Sequence, residues 1–115
     1  MDGAPSSSRP APPAVAPVSH RGVRYQQDGE SLRHGGTQAS GYLVAVDPVT
    51  GARLWMLKVY EVADPGPDAP MKLERWFRSL QVVPGEDALE VENEVGSRYR
   101  VDLVSRTAIW LSGPV

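Results

Sequence analysis

Residues 45–55 read A-V-D-P-V-T-G-A-R-L-W, and a fainter copy of that phrase returns at residues 102–110. No other feature restricts the fold as much. An aspartate at the start of a turn accepts hydrogen bonds from backbone N–H groups two or three residues on. Asp47 stands at that place, Pro48 presets the backbone angle of an early turn position, and Gly51 supplies a positive φ. The β-rich run 42–46 precedes the turn and a long apolar run, 52–62, follows it. The segment is therefore expected to be a hairpin. Both alternating faces of 52–62 are apolar through the middle, which predicts a central strand covered on two sides. The pattern shared with the second copy is D-x-V-S/T-x-x-x-L/I-W, at a spacing of 55 residues. Asp47, Thr50, Asp102 and Ser105 are expected to brace two turns, and Trp55 and Trp110 to lie on the two returning strands and cover a neighbouring sheet.

The rest of the chain fits short antiparallel strands. Residues 22–27 hold Val and Tyr at their centre and predict a strand, and the Gly- and Ser-rich stretch 28–40 predicts a loop. Residues 63–70 form a Pro-rich connector, and 71–76 either make one short helical turn with Pro70 at its start or simply feed the next strand. From Phe77 a four-strand meander is expected, with strands near 77–83, 88–93, 97–102 and 106–111. A loop at 94–96 with Gly96 left-handed sets the register of the middle pair. It places Glu92 opposite Arg98, Val91 opposite Tyr99, and Glu90 opposite Arg100, so that acid meets base and apolar meets apolar.

The stretch 41–55 resembles the quinoprotein-type β-propeller repeat, whose tryptophan-docking motif is A-x-D-x-x-T-G-x-x-x-W. Ala45, Asp47, Thr50, Gly51 and Trp55 fill its five fixed positions, while the second copy keeps Asp102, Ser105 and Trp110 and carries Arg106 in place of the glycine. The resemblance implies that the Trp docks between adjacent sheets. It covers about fifteen residues, and the chain is also similar to small uncharacterised bacterial proteins with one such hairpin in a short β domain. A propeller needs four or more blades of about 40–50 residues. The 115 residues have room for two, which excludes a quinoprotein dehydrogenase.

The expected fold is all-β: about six antiparallel strands, a hairpin plus a meander, arranged as a small sandwich, an open barrel or a blade-like sheet pair. Residues 1–19 hold five of the eleven prolines, with Ser and Ala filling most of the rest, and are expected to be a disordered leader to a single domain at 20–115. The net charge of −2 is spread without a basic face, which argues against nucleic acid as a partner. Cysteine is absent, so disulfides and thiolate chemistry are excluded. No apolar run has the length of a membrane span. The location is expected to be periplasmic or envelope-associated if a signal has been removed, and cytoplasmic otherwise.

No residue set predicts catalysis, a cofactor or a metal. His20 and His34 are read as solvated loop residues, since zinc takes about four ligands and neither has an acid cluster beside it. Glu86, Asp87, Glu90, Glu92 and Glu94 are read as a solvated strand face and turn. Trp76 and Tyr60 are the candidates for a partner surface. The expected function is a non-catalytic interaction module whose partner is another protein or, as a homodimer, the chain itself. The alternatives are a self-associating structural domain and an enzyme whose site has no recognisable pattern.

Overall fold

The computed structural model describes residues 14–63 and 74–115. It is all-β, with eight antiparallel strands in two four-stranded sheets. Sheet A holds β1 (Val18–His20), β2 (Val23–Gln27), β3 (Tyr42–Val46) and β4 (Arg53–Lys58); sheet B holds β5 (Phe77–Val82), β6 (Ala88–Asn93), β7 (Arg98–Asp102) and β8 (Thr107–Ser112). Each is a meander in chain order, so β1, β4, β5 and β8 are the edges.

The sheets meet over one core. From sheet A it takes Tyr25, Leu43 and Ala45, with Trp55 and Leu57 at its margin; from sheet B it takes Leu80, Leu89, Val91 and Val101. β6 shows why the chain folds this way: its sequence A-L-E-V-E-N sends Leu89 and Val91 inward and Glu90 and Glu92 outward. β3, by contrast, is an unbroken apolar run buried along its whole length, as suits an interior strand with cover on both faces.

Several expectations are corrected. Eight strands stand where about six were expected; the element added to those expected is β1, which begins within the expected leader at Val18: Val18 pairs with Tyr25, and Val15 and Val18 pack on the core. β4 is an edge strand and not a central one. Its second apolar face arises from a bulge, in which Leu54 slips out between the pairs Val46–Arg53 and Ala45–Trp55 and stands exposed. The loop 28–40 contains one 3-10 turn, Ser31–His34. Residues 74–76 are not helical, and 71–73, where the rest of the expected helical turn falls, lie outside the described residues.

The β6–β7 register is as expected, with Glu92 opposite Arg98, Val91 opposite Tyr99 and Glu90 opposite Arg100. The ion pairs run diagonally across it: Arg98 reaches Glu90, Arg100 reaches Glu86, and Glu92 is taken by Arg78 of β5. Long arginine stems reach the diagonal neighbour as easily as the opposite one.

Candidate functional site

The two Asp-led turns are built alike. Asp47 Oδ1 accepts from the N–H of Val49 at 2.8 Å and of Thr50 at 3.3 Å; Asp102 Oδ1 accepts from Val104 and Ser105, both at 2.9 Å. These N–H groups hold both carboxyls below the usual carboxylate range, chiefly through Val49 for Asp47 and Ser105 for Asp102. Gly51 and Arg106 close the turns by donating to Asp47 and Asp102 carbonyls, each at 2.8 Å. Both have positive φ, 78° for Gly51 and 58° for Arg106. Arg106 thus holds a glycine-like conformation without being glycine, and its guanidinium lies over the Trp55 ring, 4.7 Å from the centroid. Trp55 also meets Tyr25, with ring centroids 5.9 Å apart. One hairpin's Trp is therefore covered by the other hairpin's turn.

Among the described residues no such cover lies over Trp110. It lies on β8 opposite Tyr99, half exposed, with its indole N–H donating to the Gly113 carbonyl at 3.2 Å. Beside it opens a cleft of about 600 Å³ between β8, the end of β7 and the chain that follows β4. Its walls are mainly apolar and include Val59, Val62, Tyr99, Ala108 and Val115. Its polar groups are already engaged. Asn93 Oδ1 accepts from the N–H of Val95 and Ser97, at 3.1 and 3.0 Å, and the Ser97 hydroxyl donates to the Pro114 carbonyl. Glu61 pairs with Lys58 at 3.1 Å. Such a surface can receive apolar side chains; no serine in it stands beside a base.

The candidates for a partner surface separate. Tyr60 is buried, stacked on Tyr99 at 4.9 Å between centroids, and reaches the cleft from beneath. Burial raises its hydroxyl pKa, and that hydroxyl donates to the Arg75 carbonyl. Trp76 is partly exposed, and its backbone N–H is held by Glu94 at 2.9 Å.

Two further pairs were not legible in the sequence. Asp28, 1% exposed, receives both Nη atoms of Arg53, at 3.0 and 2.7 Å, and closes the outer side of sheet A. His20 is not a solvated loop residue: it ends β1 and its Nε2 meets Asp87 at 2.8 Å, while Arg21 meets the same carboxylate at 2.7 Å. This couples the β1–β2 turn to the β5–β6 turn and lowers the pKa of Asp87, first through His20. His34 is exposed, 3.9 Å from Glu30. Among the described residues no group of three His, Cys, Asp or Glu is placed to hold a metal, and no helix is long and apolar enough to cross a membrane.

No family model matches the chain, and no curated protein matches it.

Proposed function

We propose that this chain is a non-catalytic interaction module, and that it receives an extended apolar segment of a protein along β8 and the adjoining cleft. The observation that carries this reading is the chemistry of one edge. β8 is a six-residue strand, T-A-I-W-L-S, without charge or proline. Ile109, Trp110 and Leu111 are 56%, 50% and 42% exposed. Natural edges usually carry a charge, a proline or a cover against strand addition. The other long open edge, β4, has Arg53 and Lys58 at its two ends, and β1 is only three residues long. The regular part of the strand, 107–110, ahead of a bulge at Leu111, is an uncharged apolar edge beside an apolar cleft and suits strand addition, in which backbone bonds supply affinity and pockets select side chains.

The quinoprotein-like reading of the hairpins is supported by the seating of Trp55 against the turn of the second hairpin. In this proposal that contact is architectural, and it orients sheet B so that β8 faces outward.

Selection of displayed extended peptides on the immobilised domain tests the function. Apolar peptides should be enriched, and Ile109→Lys should weaken them by about tenfold or more. Selected peptides that bind equally well to Ile109→Lys, or no enrichment at all, would defeat the proposal.

A further inference from the structure

We infer that residues 113–115, which follow β8, are a built-in competitor for the cleft: they hold hydrogen-bond donors that an incoming segment would use, and they yield those donors to it. The inference rests on the reading of β8 and the cleft as a docking edge and adds its regulation. Its basis is the way the chain leaves β8. Tyr99 pairs with Trp110 and Arg98 with Ser112, so Leu111 is an extra residue and the strand bends there. Gly113 then takes a left-handed conformation, φ +90°, and Pro114 has no N–H with which to continue a ladder. The chain turns against the β6–β7 loop so closely that a Cβ on Gly113 would fall 2.4 Å from the Gly96 carbonyl oxygen and 2.8 Å from Ser97 Cα. Pro114 and Val115 thereby become part of the cleft wall.

Two donors fasten this segment, and both belong to residues that line the cleft. The Trp110 indole N–H donates to the Gly113 carbonyl at 3.2 Å, and the Ser97 hydroxyl donates to the Pro114 carbonyl. Ser97 is buried, and its own N–H is bound to Asn93 Oδ1 at 3.0 Å, so the position of its hydroxyl is fixed. A matched pair of donors is thus satisfied by two successive backbone carbonyls, which the main chain of an extended protein segment also offers. The hold is light enough to exchange, because the Trp110 bond is long and residues 112–115 are exposed. Displacement leaves neither donor unsatisfied, since arriving carbonyls replace the departing ones. A site closed in part of the population binds with an affinity reduced by that closed fraction.

Calorimetric titration of the display-selected apolar peptides into the full chain tests this, with Gly113→Ala as the variant that cannot close. Its Cβ would meet backbone atoms of Gly96 and Ser97, which cannot move aside as a side chain can. The apparent dissociation constant for Gly113→Ala should be lower than the parent's by at least about threefold. Ser97→Ala frees the segment but also takes a donor from the site, so it should gain less than Gly113→Ala. Nuclear magnetic resonance of the parent supplies a measurement that needs no variant. On saturation with peptide the Gly113 amide should gain mobility, while the Trp110 indole N–H stays protected from exchange by the carbonyl that replaces Gly113. Peptides that bind and are weakened by Ile109→Lys while Gly113 stays ordered, or a Gly113→Ala affinity no better than the parent's, would overturn this inference alone. Binding by neither the parent nor Gly113→Ala would remove the docking edge as well.

Discussion

Arg106 is the place to test whether the two hairpins are joined as described, because two opposed effects meet in one side chain. It occupies a left-handed backbone conformation at φ 58°, where its counterpart is Gly51, and it lies over Trp55 at 4.7 Å. A side chain in that region costs about 1–2 kcal/mol, and a glycine there gives back about 0.5–1 in unfolded-state entropy. Glycine should therefore exceed alanine at this position by about 0.5–1 kcal/mol. Arginine over a partly exposed indole contributes about 0.5–1 kcal/mol. Arg106→Ala keeps the strain and loses the contact, so it should be less stable than the parent by about 0.5–1 kcal/mol. Arg106→Gly loses the contact and the strain together and should lie near the parent. Urea midpoints at constant m-value read these differences directly. A cycle with Trp55→Leu should return a coupling of about 0.5–1 kcal/mol. If the coupling is nil, the turn of sheet B is not seated on Trp55; if Arg106→Gly is less stable than Arg106→Ala, residue 106 does not hold the left-handed conformation.

Other consequences follow from single contacts. Asp28→Asn should cost about 2–3 kcal/mol, less than the roughly 3–5 of a fully buried pair, because the Arg53 side chain is 25% exposed; chemical denaturation measures it, and Arg53→Met added to the variant should recover part of the loss. Leu89→Ala should cost about 2–5 kcal/mol by the same assay, since Leu89 is fully buried between the sheets. Gly41→Ala should destabilise by more than about 2 kcal/mol: φ is +86°, and an added Cβ would fall 2.6 Å from Gln38 Nε2 and 2.9 Å from the Tyr60 carbonyl oxygen. Asp47, Asp87 and Asp102 all have lowered pKa values, so the ionised form is favoured by folding. Their contribution is present above the unfolded carboxylate value of about 3.9 and is lost as pH falls through the lower folded values. Urea midpoints should fall below about pH 4, less steeply in Asp47→Asn combined with Asp102→Asn.

Local signals in the sequence survived folding wherever a few adjacent residues decide the outcome. The Asp47 and Asp102 turns are such cases, since the acceptor and its donors lie within three residues. The β6–β7 register is another, fixed by a three-residue loop. What was hidden depends on partners far along the chain. Arg53 reads as a strand charge, yet its place is set by Asp28, 25 residues away. His20 reads as a loop residue because Asp87, which holds it, lies 67 residues on. The β4 edge was misread because alternation cannot distinguish a strand covered on both faces from one in which a bulge at Leu54 shifts the phase.

That bulge also bears on how the two described sheets stack. A shift of 55 residues carries the paired positions Val46–Arg53 onto the paired positions Val101–Ala108. It carries the core residues Leu43 and Ala45 onto Arg98 and Arg100 of the outer face, and Val44 and Val46 onto Tyr99 and Val101, which face the core. The two repeats are therefore stacked face to back, and the bulge turns Trp55 toward sheet B, whereas Trp110, without a bulge before it, remains on the side that faces sheet A. A third sheet would have to dock on the face of Arg98, Arg100, Glu90 and Glu92, whose charges are already paired across the strands and would need desolvating. At the other end, the Asp28–Arg53 pair and the Tyr42 hydroxyl, which accepts from the Thr37 N–H, tie residues 28–40 over sheet A. Among the described residues both outer faces of the sheet pair carry polar groups that are already paired. On the proposal made above, a strand added at β8, an edge whose apolar side chains are exposed, would extend sheet B sideways without disturbing either of these faces.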